Sequence, residues 1–283
     1  MAVASPVVHR PTVLGLLALT FATGLVDSIS VLVLGHVFVA NMTGNLVFLG
    51  FWFAPHSGVD LTAAAVALVS FVIGAVLGGR LTRRLGHNVR LWLTVALGTE
   101  AAVLLVLSVL AGSGVLGYGG SGRLILITGL AAAFGAQSVT GRQFGIPELT
   151  TTVLTMTIVG IGSDSRLAGG TGHREKLRYL VVFTMVAGAV IGATLSRFVV
   201  APVIALAALS VAVGLAVLRH GPAPVPGLSA CPTTRAALPR AAGPTSCGWR
   251  FSPPFSPRCS ISSLSGGSST SRRCAPPSLR PDP

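Results

Sequence analysis

Eight apolar blocks, most of them close to 20 residues long, constrain this chain more than any other feature. They cover about residues 13–34, 36–53, 62–81, 91–111, 123–142, 149–163, 178–197 and 199–218. A transmembrane helix needs roughly 20 apolar residues to cross the hydrocarbon core. Only 10% of the 283 residues are charged, whereas a soluble domain carries about 25%. The sequence therefore predicts an all-α polytopic membrane protein whose main partner is the lipid bilayer.

The first block raises the alternative of a cleaved signal peptide. It is longer than the apolar core of such a peptide, and no A-x-A cleavage site follows it. We expect a retained first span that begins after a short cytoplasmic N-terminus at residues 1–12.

Residues 220–283 differ from the rest because they are rich in Pro, Ser and Arg and hold all four cysteines. Such a segment buries too little apolar surface to offset its ordering entropy, so we expect disorder. The cysteine spacings match no zinc motif. A shifted reading frame in a GC-rich gene would give this composition, so we hypothesise that the tail is not native.

The formal net charge of +13 would suit a nucleic-acid-binding protein, but the positions of the basic residues argue against it. Many lie in the tail, and the others cluster mainly at block ends, where basic residues set membrane orientation. No stretch interleaves basic and aromatic residues on one face. We therefore expect no nucleic-acid partner.

An internal repeat relates the two parts of the apolar region. Three anchors occur in the same order at offsets of 111 to 114 residues. They are Gly24 with Gly135, Thr43 with Thr155, and Val72–Gly78 with Val186–Gly192. Chance is the alternative, since Gly, Ala and Val are abundant, but the consistent order favours duplication.

The basic clusters fall on one side of the membrane if two of the blocks do not cross it. Each of these blocks, 36–53 and 149–163, would then leave the membrane on the side where it entered. About six transmembrane helices then remain, with two broken or re-entrant segments. The halves, 13–111 and 123–219, become inverted repeats of three spans, joined by an external loop at 112–122. Both termini are then cytoplasmic. Many secondary transporters are built this way.

Asp27 is the first candidate functional residue, because an intramembrane carboxylate costs roughly 2.5–3.5 kcal/mol and usually faces a cavity or partner. Thr20, Thr23, Gly24 and Ser28 share its helical face. The alternative is a carboxylate that bonds Ser or Thr purely for packing.

A polar break interrupts the second block at Asn41, Met42, Thr43, Gly44 and Asn45. Gly44 permits backbone that departs from a helix, and irregular backbone at membrane depth is tolerated only inside protein or along a cavity. The equivalent stretch, Thr150–Thr157, includes Thr152 and Thr155. We predict a paired transport site here; two polar helix contacts are the alternative.

Further candidates lie in the uninterrupted blocks. Glu100 is a second buried acid, suited to a proton relay or a structural hydrogen bond. Gln137 and Thr140 lie one turn apart and would complete a polar cavity. Small-xxx-small motifs allow close helix packing, within the chain or in a homo-oligomer. They are Gly74 with Gly78, and Gly188 with Gly192.

The runs Gly24–Ser30 and Gly35–Leu46 resemble the YoaK family of bacterial membrane proteins, whose pattern reads G-x-x-D-a-i-s and then v-F-v-a-n-M-T-G-N. Gly135–Gln137 and Thr151–Thr155 are similar to its second signature, but Ser138 and Met156 depart from it. The resemblance covers about residues 10–220. It implies a multi-pass protein of the bacterial cytoplasmic membrane with no known function.

These features favour a secondary transporter or permease for a small solute, proton-coupled through Asp27. The polar path would comprise Asp27, Ser28, Asn41, Thr43, Gly44, Asn45, Glu100, Gln137, Thr140, Thr152 and Thr155. The alternative is a non-transporting membrane scaffold or partner subunit. No nucleophile–base pair, metal cluster or cofactor motif appears, so we expect no enzyme activity, metal or cofactor.

Overall fold

The computed structural model describes residues 10–53, 60–143, 154–165, 168–169 and 175–220, which form eight α-helices. The tail at 220–283 lies almost wholly outside these residues, so the expectation of disorder stays a prediction. The helices are α1 (Arg10–Leu32), α2 (Met42–Gly50), α3 (Leu61–Leu85), α4 (Val89–Gly112), α5 (Gly120–Gln143), α6 (Leu154–Ser163), α7 (Glu175–Ser196) and α8 (Ala201–His220).

Six of the described helices are long and apolar enough to cross a membrane, and α2 and α6 are too short. The prediction of six spans with two shorter segments is confirmed. Side-chain caps fix two of the helix starts, because Asp60 accepts from the Ala63 amide at 3.0 Å and Asn88 from the Leu91 amide at 3.2 Å. Such caps satisfy amide groups that have no partner within the helix.

Burial separates a central helix from peripheral ones. In the spanning window, 67% of α1 is buried but only 17% of α7. The exposed side chains of the outer helices are themselves large and apolar, such as Val72 and Phe183. This surface suits lipid contact rather than water.

Helices α3 and α5 approach closely through small residues and run in the same direction. Gly74 lies against the Ala132 backbone, and a methyl group on Gly78 would meet the Cα atom of Ala136 at 3.0 Å. From α5, Gly135 lies in turn against the α3 backbone. Any larger side chain would push these helices apart, which agrees with the predicted packing role of the small residues.

Helices α1 and α7 repeat this arrangement. Gly24 packs on the α7 backbone, while Gly188 lies against Phe21 and Gly192 against Leu25 of α1. The glycines that align in the sequence repeat therefore make equivalent contacts. In each half, the helix that follows the short helix packs on the first helix of the other half. Thus α3 packs on α5, and α7 packs on α1.

The segment that contains α2 begins and ends at the same face of the protein. Gly35, just after α1, lies against the Arg123 guanidinium and against Asp60, which begins α3. Asp60 also forms an ion pair with Arg123 in the first turn of α5. Hence α1 ends where α3 and α5 begin, at what we call the Asp60 face.

The opposite face holds the start of α1 and the end of α8, because Gly15 packs against Gly214 and Leu218. At the Asp60 face, the Ser108 hydroxyl donates to the Ala201 carbonyl at 2.7 Å and joins the end of α4 to the start of α8. Since α5 ends and α7 begins at the opposite face, the segment containing α6 enters and leaves there. The two halves are therefore inverted.

Basic residues concentrate at the face opposite Asp60, which we call the basic face. Among the described Lys and Arg residues, only Arg123 and Arg197 lie at the Asp60 face, and Arg123 is paired with Asp60. The sequence predicts that the basic clusters share one side, and Arg123 and Arg197 belong to none of those clusters. The residues at the basic face are Arg10, Arg80, Arg83, Arg84, Arg90, Arg142, Lys176, Arg178 and Arg219.

Candidate functional site

Asp27 lies in the last turns of α1 and holds the backbone that follows the helix. It is buried, and its Oδ1 atom accepts the amide protons of Val39 at 3.1 Å and Ala40 at 2.9 Å. Buried amide groups without a helical partner need such an acceptor. Its other oxygen, Oδ2, has no hydrogen-bond partner among the described residues.

The chain reverses at Gly35 and His36, which both have positive φ angles, of 98° and 59°. Glycine adopts this conformation without strain, while His36 is an uncommon non-glycine residue there. The reversal returns Val39 and Ala40 to the level of Asp27. The irregular backbone therefore precedes Asn41 rather than beginning there.

Asn45 is the second residue that secures this segment, and it is fully buried in α2. Its side-chain oxygen accepts from the Phe38 amide at 2.8 Å, and its Nδ2 donates to the Phe38 carbonyl at 2.5 Å. One side chain thus satisfies both backbone groups of Phe38. Asn45 is therefore the polar residue of the segment that satisfies backbone groups without a helical partner.

Gly44 has a different role from the predicted one. It lies within the α2 helix and does not have a positive φ angle, so the interpretation as a break in the helix is wrong. A methyl group there would meet the Phe38 ring at 2.6 Å. Glycine is needed because the returning chain packs directly on this turn of α2.

Asn41 and Thr43 point away from the buried part of the segment. Both are exposed, and Asn41 occupies the N-cap position of α2 without a side-chain cap hydrogen bond. The predicted polar break is therefore divided into a buried anchor, Asn45, and an exposed pair.

The polar stripe on α1 is satisfied mainly within its own helix. Thr20, Thr23 and Ser28 donate to the carbonyl oxygens of Leu16, Leu19 and Leu25 at 2.7 to 3.1 Å. Ser28 also packs against Gly192 of α7. These side chains bond mainly the backbone of their own helix, whereas Asp27 bonds the segment that follows the helix.

The first helices of the two halves meet through polar side chains. The Thr23 hydroxyl approaches Gln137 Oε1 at 3.5 Å, and Gln137 Nε2 is buried with no hydrogen-bond partner among the described residues. Thr140 is buried one turn later and donates to the Ala136 carbonyl at 3.3 Å. The structure thus brings Gln137, but not Thr140, into contact with the stripe on α1.

In the second short segment the predicted residues fall differently. Thr152 lies outside the described residues, and Thr155 is exposed on α6. Thr157 is the one buried residue of α6, as Asn45 is of α2. Thr157 is absent from the predicted polar path, although the offset of 112 that aligns Thr43 with Thr155 also aligns Asn45 with Thr157.

The second segment is secured at the basic face by Arg178, in the first turn of α7. Its guanidinium donates to the Gly160 carbonyl at 2.5 Å and pairs with Asp164 at 2.6 Å. The hydrogen bond and positive charge of Arg178 hold the pKa of the exposed Asp164 carboxyl below its usual value. This pair was not predicted from the sequence.

Glu100 lies apart from these residues, in the middle of α4. It is only 3% exposed, and neither carboxylate oxygen has a hydrogen-bond partner among the described residues. It lines a cleft of about 390 Å³ between α3, α4 and α5. Within the described part of the chain, no three His, Cys, Asp or Glu side chains are close enough to hold a metal ion.

The fold and these sites define a class: a polytopic membrane protein of two inverted halves. Each half has a short helix in a segment that begins and ends at the same face of the protein. The chain belongs to the DUF1275 family, described as proteins of unknown function, whose sequence profile matches residues 15–217. The predicted family resemblance is confirmed.

One relative is the UPF0700 transmembrane protein YoaK of Bacillus subtilis (strain 168). It is 34% identical over 160 residues, which cover 55% of this chain and 67% of that protein. No solved structure is significantly similar to the chain.

Proposed function

We propose that this chain is a secondary transporter or permease for a small solute. The observation that carries the proposal is the opposite placement of the two short helices, with α2 returning to the Asp60 face and α6 to the basic face. Inverted repeats with interrupted helices build many secondary transporters, in which one repeat moves against the other around a central site.

The charge distribution supports an orientation. Cytoplasmic ends of membrane spans carry an excess of Lys and Arg, so we assign the basic face to the cytoplasm. The start of α1 and the end of α8 then face the cytoplasm, and the loop between α4 and α5 is external. The bacterial transmembrane relative supports the cytoplasmic membrane of a bacterium as the location.

Asp27 supplies the coupling step in this proposal. Its Oδ1 holds the amides of Val39 and Ala40, while Oδ2 is free to take a proton. Hydrogen bonds to a charged acceptor are stronger than those to a neutral one. Protonation of Oδ2 would weaken the hold on the returning chain and release the segment that leads into α2.

Uptake into proteoliposomes under an imposed proton gradient tests this role. We expect a panel of small metabolites to contain a solute whose uptake depends on the gradient. Asp27→Asn should fold but lose that dependence, while Asp164→Asn, which alters an exposed carboxylate, should retain it. Unchanged gradient dependence in Asp27→Asn would show that the proton role is wrong.

Solvent access separates transport from the alternative, a non-transporting scaffold or partner subunit. In a chain whose tail cysteines are replaced by serine, Thr43→Cys should react with a small water-soluble thiol reagent. Val106→Cys is the matched control, since Val106 is also exposed but lies in the uninterrupted span α4. If neither cysteine reacts, α2 borders no aqueous path and the scaffold is favoured.

A further inference from the structure

The cleft between α3, α4 and α5 is apolar except at one point. Its volume is about 390 Å³, at the small end of the roughly 300–1,000 Å³ that ligand pockets occupy. Gly, Ala, Val and Leu residues form almost all of its lining, and Thr99 and Glu100 are the only polar side chains among the lining residues.

Among the residues that the structure describes, no group supplies a positive charge to Glu100. Three helices pack against α4, and none has a titratable side chain in its membrane part. This holds for α3 between Asp60 and Arg80, for α5 between Arg123 and Arg142, and for α8 between Arg197 and Arg219. An unpaired buried carboxylate is costly. That cost is removed when Glu100 is protonated or when a bound cation balances its charge.

The polar side chains of the cleft offer hydrogen-bond acceptors only. The Thr99 hydroxyl directs its proton to the carbonyls of Val95 at 2.6 Å and Ala96 at 3.0 Å within its own helix, so its oxygen is left to accept. An ionised carboxylate also only accepts. Such a site favours a cation with N–H donors over an anion or a neutral acceptor.

We propose that this cleft binds a small, mostly apolar molecule bearing a protonated amine, whose ammonium group pairs with the Glu100 carboxylate and the Thr99 hydroxyl oxygen. The Glu100 oxygens are covered in the unliganded protein, so the side chain turns into the cleft on binding. A proton alone would also neutralise Glu100, but it would not need an apolar space beside it.

The inference that such amines are the transported solutes rests on the function proposed above. The existence of the binding site in the cleft does not depend on that function. Binding to the purified full-length protein in lipid nanodiscs therefore tests it separately from transport. The probes are naphthylmethylamine, naphthylmethanol and naphthoate, which share an apolar body and differ in charge. Equilibrium dialysis at neutral pH, corrected with empty nanodiscs, measures saturable binding of each.

We expect the amine to bind at least about tenfold more tightly than the alcohol, and the acid not to bind, because charge-assisted hydrogen bonds are the stronger kind. Glu100→Gln should remove that preference. Val103→Trp should block the cleft, because Val103 lines it and is 40% exposed. Val106→Trp, one turn further along α4 and outside the lining, is the matched control and should bind normally.

Equal binding of amine and alcohol would overturn the proposal and identify a groove for acyl chains. Binding that survives Glu100→Gln, or that Val103→Trp and Val106→Trp affect alike, would also overturn it. A third outcome would also overturn the proposal: the amine does not bind, and Val103→Trp changes the oligomeric state. The cleft would then be a contact between copies of the chain. If Glu100→Gln does not fold, the two tryptophan variants decide. Amine binding without amine uptake would leave the site intact and count against the transport proposal alone.

Discussion

Asp27 and Glu100 are both carboxylates buried in membrane-spanning helices, and the protein uses them in different ways. Asp27 lies near the end of α1, where the chain reverses, and one oxygen holds two backbone amides. Glu100 lies in the middle of the uninterrupted helix α4, and neither oxygen has a partner among the described residues. A buried acid beside a helix end finds free backbone donors, whereas one in mid-helix finds none.

Burial alone therefore does not assign a role to a carboxylate in a membrane-spanning helix. The donors that satisfy Asp27 are backbone groups freed by the reversal at Gly35 and His36. Around Glu100 the described backbone donors lie within helices, so no free amide group is available to its carboxylate. We therefore expect the loss of the Asp27 side chain to lower stability and the loss of the Glu100 carboxylate to lower binding.

The largest effect should follow from Asp27→Ala. It leaves the Val39 and Ala40 amides unpaired, and each unpaired buried donor costs about 1–3 kcal/mol, so we expect a loss of roughly 2–6 kcal/mol. Thermal unfolding in nanodiscs, followed by the fluorescence of the tryptophans, which include the buried Trp92, measures it. Asp27→Asn keeps an acceptor oxygen and should lose less. Equal losses in the two variants would mean that the amides do not determine the role of Asp27.

Asn45→Ala should produce the next largest loss, about 1–3 kcal/mol. Both backbone groups of Phe38 lose their partner, but Phe38 is only partly buried, so water replaces part of what is lost. Asn41→Ala is the matched control from the same segment. Asn41 is exposed and makes no cap hydrogen bond, so its replacement should leave the unfolding temperature unchanged. A comparable loss in both variants would refute the division into a buried anchor and an exposed pair.

Glu100→Gln should have a small effect of the opposite sign. Removal of an unpaired buried charge relieves its desolvation cost, so stability should stay within about 1 kcal/mol of the original or rise. The same unfolding assay applies, with Asp27→Asn measured in parallel. A loss as large as that in Asp27→Ala would mean that Glu100 has a structural partner, and the contrast between the two acids would disappear.

Asp164→Asn should have the smallest effect and gives an exposed reference for the two buried acids. Arg178 lowers the pKa of Asp164 in the folded protein. The pair therefore stabilises the fold at pH values above the usual pKa range of carboxyl groups. That contribution is lost as the pH falls through the folded pKa. We expect that, at acid pH, the unfolding temperature of Asp164→Asn varies only slightly less with pH than that of the unsubstituted protein. A large change would show that the pair is shielded from solvent.

The candidate site was predicted unevenly, and particular residues show why. Asp27 and Asn45 stand out in the sequence because they are polar within apolar blocks. Their partners, Val39, Ala40 and Phe38, are apolar residues that act through their backbone, and no side-chain pattern distinguishes them. Gly44 was misinterpreted because a glycine required for close packing looks the same in a sequence as a glycine required for a turn.

The sequence by itself determined the number and length of the spans, since the thickness of the hydrocarbon core sets how many apolar residues a helix needs. It also determined the repeat, because aligned glycines mark equivalent helix contacts. Only the tertiary structure decided that α3 packs on α5 and α7 on α1, and that Asp27 is satisfied while Glu100 is not. These outcomes depend on which groups far apart in the chain come within hydrogen-bonding distance, and helix periodicity contains no information about that.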